Sequence, residues 1–311
     1  MSQTTNTILM IRPVNFRMNE ETAVNNYYQQ VLEDTLPETV SLKAQQEFDA
    51  FVEKLSGVGV QVIVVNDTSE TDTPDAVFPN NWISFHENGD VGLYPMYAEN
   101  RRLERREDIF ETLEQEGFVI NHVIDYTSAE DEEIFLEGTG SVVLDRVNRK
   151  AYCGLSPRAD EDLFIEFCED FEYTPVIFTA FQTVNNQRKP IYHTNVLMSI
   201  GDTFAVVCLS SIDDKKERKA LVKQLKEDGK AVIDITEGQL IHFAGNMLQV
   251  KGSDANYLVM SQAAFNVLTD AQVTAIEKHC KILSSPLDTI EACGGGSARC
   301  MMAEVFLPKE S

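Results

Sequence analysis

Asn195-Val-Leu-Met-Ser-Ile200 runs into the turn pair Gly201-Asp202, and a second apolar run, Thr203–Cys208, follows at once. From about Asp214 to Glu227 the pattern is that of an amphipathic helix. Gly229 stops it, and Ala231–Ile235 supplies one more run of strand character. The order is strand, strand, helix, strand. That unit decides the fold, because the same order recurs along the rest of the chain.

Reading outward toward the N-terminus, Ser141–Leu144, Lys150–Cys153, a helix near Ala159–Cys168 and Val176–Thr179 make an equivalent unit. Before it come Ile83–Phe85 and Val91–Tyr94 around the turn Glu87–Asp90. A charged helix from about Arg101 to Glu116 follows them, stopped by Gly117, and then Val119–Ile124. The first unit offers a strand near Thr7–Arg12, a helix near Ala44–Leu55 and the β-branched run Val60–Val65. The last has Met247–Val250, Tyr257–Met260, a helix near Asp270–His279 and Lys281–Leu283, closed by Pro286. The repeat length, roughly 50–60 residues, is of the kind that builds arrays or closed propellers. No polar capping repeat stands at either end, so a closed ring of five units is the more economical reading. The expectation is an α/β propeller of fivefold pseudosymmetry, a single domain over residues 1–311 with no linker.

Composition limits what such a ring can do. The chain has 311 residues, 43% of them hydrophobic and 24% charged, as expected of a globular protein with a real core. Its formal net charge of −24 argues against a nucleic-acid partner, which would need a basic footprint. The same charge disfavours an anionic membrane surface, and no apolar run is long enough to span a bilayer. The N-terminal Met1-Ser-Gln-Thr-Thr-Asn-Thr7 has no signal-peptide pattern. Six cysteines, at 153, 168, 208, 280, 293 and 300, show neither CxxC pairs nor zinc-ligand spacing. Reduced thiols in a cytoplasmic protein follow, with no metal and no organic cofactor. A homo-oligomer is compatible with all of this.

The chemistry gathers at one phase of the repeat. Asn81, Glu137, His193 and Cys300 each follow the final strand of a unit by a similar interval. Positions of equal phase in a ring lie at equal height, so these four are expected to converge on the axis. Each alone has a plainer reading. Asn81 in Phe78-Pro-Asn-Asn-Trp82 fits turn chemistry, Glu137 a loop cap, and His193 a structural strand entry. Cys300, after Gly294-Gly-Gly-Ser-Ala-Arg299, fits a small buried thiol beyond a turn. Together they form a covalent-catalysis set: a thiol nucleophile, an imidazole to move protons, and a carboxylate to orient the imidazole. Cys293 breaks the phase, and His86, His122, His242 and His279 lack comparable company.

Three motifs then carry a resemblance over essentially the whole chain. Gly294-Gly-Gly-Ser-Ala-Arg-Cys-Met301, Leu136-Glu-Gly-Thr-Gly140 and His193-Thr-Asn195 resemble the guanidine-modifying amidinotransferase and deiminase superfamily, the penteins. Pro74-Asp-Ala-Val-Phe-Pro-Asn-Asn-Trp82 makes the chain look most like the citrulline-utilisation hydrolase branch. The resemblance implies a fivefold propeller of ββαβ units. It further implies Cys300 as nucleophile, His193 as general acid and base, and Glu137 as its carboxylate partner. Where arginine deiminases carry Phe-x-x-Asp and His-x-Asp, this chain has Phe78-Pro-Asn-Asn81 and His193-Thr-Asn195. Arginines that hold a substrate α-carboxylate in that superfamily fall at Arg101 or Arg102, and at Arg158.

Replacing both aspartates by asparagines has a physical meaning. A guanidinium is cationic and only donates hydrogen bonds, which suits a buried pair of carboxylates. A ureido group is neutral and has an acceptor oxygen beside its N–H donors. An asparagine meets either kind of atom and leaves no charge buried alone. Loss of one partner from a buried ion pair costs about 3–5 kcal/mol, so the loss of two should turn selectivity against a cation. The expected activity is hydrolysis of citrulline, a small amino-acid substrate, to ornithine, carbon dioxide and ammonia. An arginine deiminase, or another guanidine hydrolase or amidinotransferase, is the nearest alternative; a non-catalytic pentein binding protein is one of another class.

Overall fold

Thr7–Arg12 (β1) is buried along almost its whole length because it lies between two other strands. Its parallel neighbour is Gln61–Asn66 (β2), in register from Thr7 opposite Gln61 to Arg12 opposite Asn66. The structure, a computed structural model, describes residues 2–32, 35–68 and 70–310; Met1 and Ser311, the ends of the expected domain, lie outside them.

The unit read at Asn195 forms a sheet of the same kind. Met198–Ile200 (β11) and Phe204–Val207 (β12) pair antiparallel, the helix Lys215–Glu227 crosses over, and Ala231–Asp234 (β13) pairs parallel to β12. A tight turn can join only antiparallel strands, whereas a parallel partner needs a helical crossover. Asp214 caps that helix by accepting from the backbone N–H groups of Lys216 and Glu217. Gly229 leaves it at φ 75°, a conformation a side chain would resist.

Three more sheets repeat the order. They are Ile83–Phe85 (β3), Asp90–Leu93 (β4) and His122–Asp125 (β5); Val142–Asp145 (β6), Lys150–Leu155 (β7) and Thr174–Thr179 (β8); and Leu248–Lys251 (β14), Asn256–Ser261 (β15) and Lys281–Ser285 (β16). In the first unit the sequence offers one strand before the helix, not two. The missing strand is Ala303–Glu304 (β17), which pairs antiparallel with β1 from the other end of the chain. The two ends are thereby stitched into one sheet. Neighbouring sheets touch: β17 lies against β3, β6 against β11, and β11 against β14. The Lys251 N–H donates to the Thr5 carbonyl, joining the fifth sheet to the first. The fold is thus mixed α/β, and hydrogen bonding divides it into separate small sheets rather than one continuous barrel.

Two local expectations need correction, and two elements were not foreseen. The charged helix expected over Arg101–Glu116 is two helices, Glu99–Arg102 and Asp108–Gln115. In the first of them Arg101 turns inward to Glu104, and between them Arg105 reaches Glu130 and Arg106 reaches Asp108. Asn195–Leu197, expected as strand, belongs to the helical turn Thr194–Leu197. Thr194 pins that turn by donating from Oγ1 to the Ser141 carbonyl and accepting from the Gly154 N–H. A further short helix, Gln262–Val267, lies between β15 and the helix Asp270–Glu277. Finally, Phe181–Val184 (β9) and Gln187–Pro190 (β10) form a hairpin outside the five units, turned by Asn185 and Asn186 at positive φ.

Candidate active site

Each three-stranded sheet is entered through a short irregular piece just before its first strand, and the polar residues of equal phase stand there. Asn81 ends the one-turn helix Pro79–Asn81 before β3. Glu137 is the N-cap of the turn Gly138–Ser141 before β6, and His193 the N-cap of Thr194–Leu197 before β11. Cys300 follows the glycine loop before β17. Asn81, His193 and Cys300 line one small cavity with Asp75, Arg101, Arg158 and Tyr192.

His193 Nε2 lies 2.6 Å from Glu137 Oε2, and both residues are buried. The second carboxylate oxygen accepts from the Tyr97 N–H at 3.0 Å, and Arg158 Nη1 approaches Oε2 at 3.4 Å. Burial by itself would raise the Glu137 carboxyl, but Arg158, the imidazole and Arg101 outweigh it and hold it well below the usual carboxylate range. Burial pushes His193 down to about 4, against the pull of Glu137 and with Arg158 and Arg101 adding to the fall. A neutral ring with its Nε2–H given to Glu137 keeps Nδ1 as a base. Gly140 is what lets the pieces meet. A Cβ there would lie on the Asn81 amide and 2.9 Å from His193 Cε1 and Nδ1.

Cys300 is 2% exposed, and its sulfur receives two amide donors. Asn246 Nδ2 is 3.2 Å away and Asn195 Nδ2 3.4 Å. Arg101, also buried, gives Nε and Nη2 to the two oxygens of Glu104 at 2.9 Å each, and Nη2 also reaches the Phe78 carbonyl. Its Nη1 donates to Asn81 Oδ1 at 2.8 Å. Burial raises Glu104 to about 7 against the pull of Arg101. Arg158 donates to Asn25 Oδ1 and the Thr22 carbonyl and lies over the Tyr192 ring.

Arg102 does not join this group. It is bound to the Met96 carbonyl, near Glu130, outside the cavity. Sequence reasoning missed Asp75 and Asn246. Asp75 Oδ2 accepts from Asn19 and Thr22, while Oδ1 has no partner among the described residues; Asn195 Oδ1 is equally bare. Asn246 stands just before β14, the entry position of the fifth unit, so the phase argument would have reached it had every unit been required to contribute. Among the described residues no group of three or more His, Cys, Asp or Glu side chains has a metal-binding arrangement.

The family described as "N,N dimethylarginine dimethylhydrolase, eukaryotic" matches residues 12–307, nearly the whole chain. The chain belongs to this family. Through it and its structural relatives this dimethylhydrolase-family chain is a pentein. Apo ArgZ, an arginine dihydrolase from the ornithine–ammonia cycle in cyanobacteria, superposes with a TM-score of 0.72 at 17% identity over 98% of this chain. Only 41% of that ArgZ chain is covered, so this chain spans about two fifths of its length. The substrate-bound N-terminal domain of ArgZ gives 0.71 at 18% identity, over 97% of this chain and 99% of that one. A dimethylarginine dimethylaminohydrolase variant carrying an S-methyl-L-thiocitrulline adduct gives 0.63 at 12%, over 96% and 98%. At these identities the likeness is one of fold. No curated protein sequence matches the chain.

Proposed function

We propose that this pentein hydrolyses the ureido group of citrulline, giving ornithine, carbon dioxide and ammonia. The observation that carries the reading is the Arg101 guanidinium fixed 2.8 Å from Asn81 Oδ1. A substrate guanidinium lodged beside Asn81 would face the Arg101–Glu104 pair with only neutral amides at Asn81 and Asn195 to hold it. A neutral ureido group meets no such penalty, and Asn81 and Asn195 can serve both its oxygen and its N–H groups.

In this mechanism neutral His193 takes the Cys300 thiol proton, and the sulfur attacks the ureido carbon. The tetrahedral intermediate collapses as the side-chain nitrogen of ornithine leaves with the proton from His193. The carbamoyl thioester left on Cys300 is attacked by water, whose proton passes to His193. Carbamate departs, the thiol is restored, and carbamate breaks down to carbon dioxide and ammonia. Glu137 holds the ring and balances its charge at each step. Arg158, whose other partners are mostly neutral oxygens, takes the substrate α-carboxylate, and the bare oxygen of Asp75 takes the α-ammonium. Arg101 is a selectivity element here rather than a carboxylate clamp, because Glu104 already holds it.

We also assign the five sheets to a closed five-bladed propeller forming one domain. The contacts between sheets, with the turn Gly138–Ser141 joining the second unit to the third, and the β17–β1 pairing support that arrangement. All six cysteines are free and buried, which supports a cytoplasmic protein.

A second reading, a guanidine hydrolase, is favoured by the Asp75 carboxylate, since its open oxygen suits a cationic group, and by the family's own description. The first experiment is ornithine release from citrulline by the wild type and by Cys300→Ala. Turnover that vanishes in the variant supports the reading, equal rates remove Cys300 from it, and a wild type that binds without turnover supports a binding protein.

A further inference from the structure

Asn246 has no room to do anything but face the nucleophile. It is wholly buried, and its Oδ1 accepts from the Arg299 backbone N–H at 3.0 Å. One N–H of its Nδ2 goes to the Asn195 carbonyl at 3.0 Å. A flipped amide would set oxygen against that carbonyl and N–H against N–H, so the backbone fixes the orientation. The remaining N–H therefore points at the Cys300 sulfur, 3.2 Å away. Asn195 differs. Its Nδ2 also reaches the sulfur, at 3.4 Å, but its Oδ1 has no partner among the described residues and is free to turn to substrate.

The sulfur needs such a donor. It is buried among Met301, Met302 and Ala298, away from water that would otherwise solvate a thiolate. The adjacent Arg299 directs its guanidinium to the Met302 carbonyl and Glu304. Of the other charged or titratable groups on the cavity, His193 and Glu137 bond to each other, Arg101 is held by Glu104, Arg158 by Asn25 and Thr22, and Asp75 by Asn19 and Thr22. The Tyr192 hydroxyl donates to the Gly295 carbonyl.

We propose that Asn246 is a catalytic residue whose fixed N–H stabilises negative charge on the Cys300 sulfur, both before attack and when the thiolate leaves the carbamoyl group. This rests on the reading of Cys300 as nucleophile, not on the identity of the substrate. It gives the fifth unit the role its phase demands, so that all five units serve the reaction centre.

The test is the pH profile of Cys300 alkylation by iodoacetamide in the full chain without substrate, with the labelled site assigned by peptide mass mapping. Asn246→Asp keeps the acceptor for Arg299 and the shape but replaces the donor by oxygen; Asn246→Ala removes both; Asn246→Ser keeps a hydroxyl donor. The Asp and Ala variants should alkylate about tenfold more slowly at neutral pH, with profiles displaced upward by about one pH unit, as expected when an anion loses a fixed donor. Citrulline kcat should fall with little change in KM, and Ser should recover part of both losses. A folded Asp or Ala variant whose profile superimposes on the wild type overturns the proposal. So does loss of the fold in all three variants, which would make Asn246 purely structural. If the profiles move as expected while the wild type ignores citrulline, the substrate reading fails and the role on sulfur stands.

Discussion

Arg101 Nη1 donates to Asn81 Oδ1 across 2.8 Å, with both residues almost wholly buried. The asparagine is thereby polarised, and the Arg101–Glu104 pair stands where the resemblance would put carboxylates to grip a guanidinium. Asn81→Asp should set a second carboxylate beside Arg101, which Glu104 already pairs, and so leave a net negative charge facing the substrate. The kcat/KM ratio of citrulline to arginine should then fall by at least about tenfold, since buried charge pairing is worth a few kcal/mol. Steady-state kinetics on both amino acids checks this, and an unchanged ratio would show that Arg101 does not set selectivity.

Gly140 separates the Asn81 amide from the His193 ring, leaving no space for a methyl group. Gly140→Ala should fold but displace both groups, lowering kcat/KM by about 100-fold, the cost typical of a misplaced reacting group. Circular dichroism and kinetics together check it. Full activity in the variant would mean that the tight packing is not required.

The lowered His193 gives an expected pH profile. The ring must be neutral to accept the thiol proton, and burial holds its ordinary ionisation down at about 4. Activity should therefore persist as pH drops below the usual imidazole range and fall only near that value. Short assays across the acid limb measure this. A limb near about 6.5, the unperturbed histidine value, would contradict the buried neutral pairing with Glu137.

Glu291 lies under the nucleophile loop, where Ser297 Oγ donates to its Oε1 at 2.5 Å. Burial raises its carboxyl from 4.5 to about 7. Between those values the folded chain keeps a proton that the unfolded chain has released, so stability falls as pH rises through the window. The loss is at most about 3–4 kcal/mol. Glu291→Gln should match the wild type near pH 5 and exceed its stability near about pH 8, read by urea unfolding. Parallel profiles for the two proteins would show that Glu291 does not titrate in this way.

The repeat was legible because every unit needs a turn, an amphipathic helix and a strand, and those leave local signals at Gly201-Asp202, Gly117 and Gly229. The phase of Asn81, Glu137, His193 and Cys300 was legible for the same reason. What stayed hidden depends on contacts distant in sequence. β17 is two residues long and becomes a strand only because β1 offers it an edge. Near Arg101 the helix is short, and Glu104 and Asn81 draw the Arg101 guanidinium inward, which no periodicity records. That same pull distinguishes Arg101 from Arg102, adjacent residues that the sequence treats alike. Asp75 was quoted within Pro74–Trp82 yet not singled out, because its bare oxygen exists only once the cavity closes around it.

The central claim is that this site takes an uncharged ureido group in preference to a guanidinium. Side-by-side kcat/KM values for citrulline, arginine and N,N-dimethylarginine, followed by ornithine and ammonia release, test it most directly. The account predicts ornithine and ammonia from citrulline, with both guanidines far slower. Faster turnover of either guanidine than of citrulline would contradict it.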